Sequence, residues 1–269
     1  MQKEIQELIQ ETAIAKVGLA AHDFSASEEI LINPDLSFHP ASTMKICVMM
    51  EVFHQARRGL FSLDDRIMVR NEFASIADGS AYGLSIADDS EKDLYNRISQ
   101  PLPIRDLVRL MIILSSNLAT NLLVERVTPQ RITAFMRDLG ADSLIVRRGV
   151  EDDKAFQLGL NNDSTARGFM NILVKLAKRE VVSPQDSDEM IEILSQQQFN
   201  EMIPAQLPAG VRVAHKTGWN DDLYHDAGIV YPLNEVPFIL VILTRGCKTE
   251  SEAHTLIASL AKAIYDNWE

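Results

Sequence analysis

Three runs near the C-terminal end decide the fold: VRVAHKTG (211–218), DAGIVY (226–231) and VPFILVILT (236–244). Each reads as a strand, with Asn234 in the turn between the last two. Working outward, residues 250–268 place Leu256, Leu260 and Ile264 on one face of a closing helix. At the other end, residues 2–13 carry Ile5, Leu8 and Ile9 at helical spacing. AIAKVGLAA (13–21) and Glu29 to Ile32 then read as two strands joined by a polar turn. Between these ends the pattern is helical. One helix is expected from about Ser42 to Arg58, with Gly59 as its stop, and another stretch from Ile104 to about Val127, interrupted at Ser115-Ser116-Asn117. Further helices are expected at 129–139, 163–179 and 186–200, and residues 71–100 read as a long polar loop. The expected fold is α+β in three layers (α/β/α). An antiparallel sheet built from both chain ends is flanked by the terminal helices and packed against an all-helical lobe. Residues 1–269 form a single domain in this reading, with a sheet lobe of 1–40 and 205–269 and a helical lobe of 41–204. The cleft between the lobes is the expected place for a site.

Composition narrows the function. The chain has 269 residues, 46% hydrophobic and 24% charged, with a formal net charge of −12. Those proportions exclude disorder, collagen-like repeats and a disulfide scaffold. The acidic balance argues against nucleic acid or an anionic membrane as partner, and oligomeric state is left open. Cys47 and Cys247 are the two cysteines, and Cys47 lies in the apolar run Ile46–Met50 as a small hydrophobe. The six histidines form no ligand cluster, so neither a metal nor another cofactor is expected. No run approaches the roughly 20 apolar residues that span a bilayer. The polar start MQKEIQELIQETA lacks the apolar core of a secretory signal. The expectation is a cytoplasmic chain as it stands, or a secreted or periplasmic one if a signal has been removed.

Ser42-Thr43-Met44-Lys45 puts a hydroxyl and an amine three residues apart at the start of an apolar helix. A lysine desolvated there favours its amine form and can take the hydroxyl proton. The pattern alone is unspecific: Ser259-Leu260-Ala261-Lys262 repeats it in the last helix, where it reads as a solvated pair. Ser115-Ser116-Asn117 is either a serine-capped helix turn or a second hydroxyl and a carboxamide in the cleft. His215-Lys216-Thr217-Gly218 is either a strand-ending turn or a sheet edge where Lys216 and Thr217 bind a carboxylate and Gly218 lets backbone approach closely.

With the three motifs in this order and these places, the chain resembles the penicillin-recognising serine enzymes, and most closely the class A β-lactamase family. The resemblance covers nearly the whole chain and implies a β-lactamase/transpeptidase-like fold. It implies Ser42 as the acylated nucleophile, Lys45 as its activating partner and Ser115 as a proton relay to the leaving nitrogen. Asn117 would bind the substrate's acylamino carbonyl, and Lys216 and Thr217 its carboxylate. The backbone N–H groups of Ser42 and Trp219 would form the oxyanion hole.

Two departures stand out. The middle residue of the second triplet, usually aspartate in the family, is Ser116. The segment Arg147-Arg148-Gly149-Val150-Glu151-Asp152-Asp153-Lys154 should form the omega loop, whose glutamate activates the deacylating water with an asparagine four residues on. An ungapped count puts Gly149 at the glutamate's place. Glu151 fits after a small gap, with Ala155 four residues on, and Asp152 is a second candidate; the alternative is a solvated acidic loop. Arg245 is either brought toward the Lys216 end by strand pairing or is a surface charge, and His225-Asp226 begins the strand between. Tyr82 either lines the cleft entrance or is a solvated loop residue. The activity the resemblance implies is hydrolysis of β-lactams through a Ser42 acyl-enzyme, which makes the expected partner a small-molecule substrate, a β-lactam or related acyl compound. The alternatives are an esterase or D-alanyl peptidase on the same scaffold, and a penicillin-binding sensor that acylates without efficient deacylation.

Overall fold

The stretch Phe238 to Leu243 contains no polar side chain because neither of its faces meets water. A computed structural model, describing residues 2–233 and 236–268, makes it the middle of a five-stranded antiparallel sheet. The expected turn at Asn234 lies outside the described residues. The chain opens with α1 (Gln2–Gln10), β1 (Lys16–Asp23), β2 (Glu29–Ile32) and α2 (Lys45–Arg57). Short strands β3 (Arg66–Met68), β4 (Phe73–Ala74), β5 (Ala81–Tyr82) and β6 (Pro101–Pro103) follow. The helical part continues with α3 (Ile104–Ile113), α4 (Asn117–Val127), α5 (Pro129–Asp138), α6 (Asp153–Gln157), α7 (Ala166–Ala177) and α8 (Pro184–Leu194). It ends with β7 (Arg212–Asn220), β8 (Leu223–Tyr231), β9 (Phe238–Arg245) and α9 (Glu250–Trp268).

The sheet order is β2-β1-β9-β8-β7, so strands from the two chain ends meet where β1 pairs with β9. Alternation along β9 sorts its side chains between two cores. Phe238, Leu240 and Ile242 join Ile5 of α1 and Leu256, Ile257, Leu260 and Ile264 of α9. Ile239, Val241 and Leu243 join the larger core, with Phe169, Met170 and Leu173 of α7 and most of α2. The α+β reading holds, with the sheet between terminal helices and the helical part.

α2 is buried nearly all round, as a helix at the centre of a lobe must be. Its interior polar groups are paired: Gln55 Nε2 donates to Glu51 Oε1 at 2.7 Å and to Val127 O at 2.8 Å, and Glu51 Oε2 meets His54 Nδ1 at 3.0 Å. The helix expected from Ser42 begins instead as a 3-10 turn, Ala41–Met44. β7 runs beyond Gly218 through Trp219 and Asn220, α8 stops at Leu194, and the 71–100 stretch contains the β4–β5 hairpin and a 3-10 turn at Asp93–Arg97.

α7 starts later than expected because Thr165 caps it: its hydroxyl accepts the Gly168 N–H at 3.0 Å and meets Ser143 Oγ at 2.7 Å. Thr165→Ala is expected to lower stability by about 1 kcal/mol in urea denaturation, and Thr165→Ser to recover most of it.

Candidate active site

The 3-10 turn carrying Ser42 is held by close backbone packing against β7. A Cβ added at Gly218 would lie 2.7 Å from Ser42 N and 2.8 Å from Thr43 N, so only glycine lets the strand come this near. From the other side, the buried His225 donates from Nε2 to His39 O at 2.9 Å, while its Nδ1 accepts the Thr244 N–H at 3.1 Å. Burial holds the His225 imidazole below its ordinary pKa, in the neutral form that this pairing requires. Ala41, beside Ser42, has φ +46°. Among the described residues the Ser42 hydroxyl has no hydrogen-bond partner. It opens into a cleft of about 320 Å³ also lined by Asn117, Glu151, Phe156, Asn162 and Trp219.

Two buried lysines meet at Ser115. Lys45 Nζ donates to Ser115 O at 2.7 Å, Asn117 Oδ1 at 2.9 Å and Ser115 Oγ at 3.2 Å. The hydrogen bond expected between Ser42 and Lys45 is replaced by these three: the pair straddles the junction of the 3-10 turn with α2, and the amine reaches across to the turn before α4. Lys216 Nζ donates to the same Ser115 Oγ at 3.1 Å and to Thr217 O at 2.8 Å. Burial brings the Lys45 pKa down to about 7, against the opposing pull of Asp89 and Glu151. Burial, and then Lys45 itself, hold Lys216 well below its ordinary value. Lys45, Lys216 and Thr217 are fully buried and Ser115 nearly so, so these four sit behind the cleft wall. Thr217 Oγ1 is buried without a hydrogen-bond partner.

The segment after α5 closes on itself, with Ile145 bridged to Asp163 and Arg147 paired to Asp163 at 2.6 Å. Asn162 fills it, accepting Arg147 N–H at 2.8 Å and Arg148 N–H at 3.1 Å. Asn121 of α4 grips Val150 through both its N–H (2.7 Å) and its carbonyl (3.0 Å). Glu151 follows at φ +58° and turns its carboxylate into the cleft. There Oε1 accepts from Asn117 Nδ2 at 2.8 Å and Oε2 from Ser85 N–H at 3.0 Å. Burial raises its pKa. Asp152 is spent on structure: it accepts from Ser75 Oγ (2.7 Å), Ile76 N–H (2.9 Å) and Ala155 N–H (3.1 Å), capping α6.

Of the residues nominated from sequence, Ser42, Asn117, Glu151, Asp152 and Trp219 line the cleft, and Lys45, Ser115, Lys216 and Thr217 are buried outside its lining. Ser116 caps α4 by accepting the Ala119 N–H. Tyr82 packs behind the loop, where Asn121 Nδ2 donates to its hydroxyl at 3.3 Å. Strand pairing carries Arg245 to the Trp219 end of the sheet, but its guanidinium lies 5.8 Å over the Phe38 ring. Asp226 is buried with His215 at 2.8 Å. Asp89, Asn121 and Asn162 were not nominated, because only the folded chain brings them here. Among the described residues no three His, Cys, Asp or Glu side chains converge as metal ligands.

The model of the beta-lactamase enzyme family matches residues 1–268. The chain belongs to that family. Its similarity to individual members is distant: it is 28% identical to beta-lactamase L2 of Stenotrophomonas maltophilia, over 92% of this chain and 79% of that protein. It is 23% identical to the extended-spectrum beta-lactamase PER-1 of Pseudomonas aeruginosa, over 97% and 86%. The fold matches that of PBP-A with a TM-score of 0.86 at 21% identity, covering 99% of this chain and 95% of that one. A PBP-A mutant solved as an acyl-enzyme complex with penicillin G matches with a TM-score of 0.84 at 22% identity, covering 99% of this chain and 95% of that one. Among the described residues of this family member, no helix is long and apolar enough to cross a membrane.

The tight seat of the nucleophile candidate is testable. Gly218→Ala is expected to lower stability by about 1–3 kcal/mol in urea denaturation, because the added carbon meets backbone atoms that cannot swing aside.

Proposed function

We propose that this chain is a serine hydrolase that opens β-lactams through an acyl-enzyme on Ser42. The observation that carries the reading is the pair of buried lysines sharing Ser115 Oγ, one of them three residues after the unpartnered Ser42. Two ammonium groups crowded onto one hydroxyl disfavour each other, so one amine is kept ready to accept a proton near neutral pH. In this reading Lys45, as the amine, takes the Ser42 proton while Oγ attacks the lactam carbonyl. The backbone N–H groups of Ser42 and Trp219 receive the oxyanion. The C–N bond then breaks, and Ser115 passes a proton on to the leaving nitrogen, itself resupplied from the lysines. Asn117 orients the acylamino group. Lys216 and the unpartnered Thr217 hydroxyl are the groups assigned to the substrate carboxylate; both are buried, so a substrate must open the cleft wall to give Thr217 the bond it lacks. Glu151, its pKa raised by burial, takes a proton from the water that releases the product acid and frees Ser42.

One observation favours a second reading in which the acyl-enzyme is long-lived. Both Glu151 oxygens are already engaged, by Asn117 and by Ser85, which leaves less of the carboxylate to activate water. Esterase or peptidase activity on the same scaffold would share every step up to acylation.

Intact-protein mass spectrometry after mixing with a penicillin separates these readings. A Ser42-dependent adduct that forms and clears supports hydrolysis, an adduct that persists supports the second reading, and no adduct on the native protein rejects both. Glu151→Gln is expected to prolong the adduct by about 10²-fold or more if Glu151 is the general base. The acylation rate should fall as pH drops below about 7, because protonated Lys45 can no longer accept the serine proton. Lys45→Arg, charged at every accessible pH, should abolish it.

A further inference from the structure

Asp89 lies in the polar stretch between β5 and β6, is 2% exposed, and takes no part in the steps above. Its Oδ2 accepts hydrogen bonds from Leu118 N–H at 2.8 Å, the Tyr95 hydroxyl at 3.1 Å and the Ser116 hydroxyl at 3.5 Å. Its Oδ1 accepts from Glu91 N–H at 3.0 Å. Ser116 and Leu118 flank Asn117, so this one carboxylate grips the chain on both sides of the residue that meets Lys45 and Glu151. The first turn of α4 suits an anion, since its N–H groups have no intrahelical acceptors and the helix dipole is positive there. Burial and the nearby Asp89 charge both push the Tyr95 phenol up, which keeps it a donor. The residue before this grip, Ser115, has φ +56°. A non-glycine residue holds that conformation only where its surroundings fix it.

We propose that Asp89 is a positioning residue for the reaction at Ser42, holding Ser115 and Asn117 against Lys45 through the first turn of α4. The proposal rests on the reading of Ser42 given above. It makes a loop remote in sequence responsible for the geometry of the proton relay. It also places a fixed negative charge among the groups that face Lys45. Those groups are Asp89 and Glu151, which favour its ammonium form, and Lys216, which opposes it.

Asp89→Asn keeps an acceptor oxygen but removes the charge. Lys45 then loses an anion that favours its ammonium, so the acid limb of the acylation profile moves to lower pH; a purely structural side chain would leave it in place. Asp89→Ala removes the grip as well. Acylation is expected to slow by about 100-fold, as for a misplaced reacting group. Amide exchange at Leu118 should accelerate at least about 10-fold while α5 stays protected. Adding Ser116→Asp to that variant returns a carboxylate near the lost oxygen, and is expected to restore acylation at least about 10-fold. Unchanged exchange at Leu118, or an unmoved acid limb in Asp89→Asn, would overturn the proposal. If the native protein is not acylated at all, the reading of Ser42 fails instead. Leu118 exchange and a direct titration of Lys45 then still decide whether Asp89 holds the turn and biases the amine.

Discussion

Two lysine amines meet on the hydroxyl of Ser115, and both are shut away from water. Burying one ammonium is expensive, and burying two side by side is more so, because each raises the cost of charging the other. The arrangement survives because the fold supplies oxygen atoms to both amines and because one of them can remain uncharged. A hydroxyl has one hydrogen to give, and Ser115 can give it to an amine only when that amine is neutral. The same feature that strains the folded state therefore creates a base near neutral pH. Structure and chemistry share one constraint.

Much of the scaffold exists to hold that meeting point. Lys45 comes from α2, Ser115 from the turn before α4 and Lys216 from β7, so three separate elements must converge. Gly218 lets the strand touch the turn that carries Ser42, and His225 ties His39, just ahead of that turn, to β8. Left-handed backbone at Ala41, Ser115 and Glu151 clusters around the cleft. Strain of this kind gathers where a geometry is over-determined by its surroundings.

The fold was legible where one face or both faces of an element are apolar, as in β9 and the amphipathic α1, because periodicity records burial directly. It was less legible where backbone contact decides. Ser42 lies in a 3-10 turn because β7 presses on it through Gly218, and nothing within residues 40–45 records that neighbour. Within the candidate site, Ser42, Lys45, Ser115 and Lys216 were readable from short motifs, since the proposed chemistry needs those residue types at fixed offsets. Asp89, Asn121 and Asn162 were not, because each acts on a segment distant in sequence. The neutral-looking replacement at Ser116 also reads differently in three dimensions. The negative charge at the start of α4 comes from Asp89 on another loop.

The account depends on a neutral amine at this buried junction, and that can be measured directly. Lysine side-chain carbons can be followed by NMR across a pH titration, with Lys45 and Lys216 assigned through single arginine substitutions. The account predicts a Lys45 transition near pH 7 and a Lys216 transition well below the ordinary lysine value of 10.5. Two lysines that both titrate close to 10.5 would contradict it, because both would be charged at neutral pH and neither could accept the proton of Ser42.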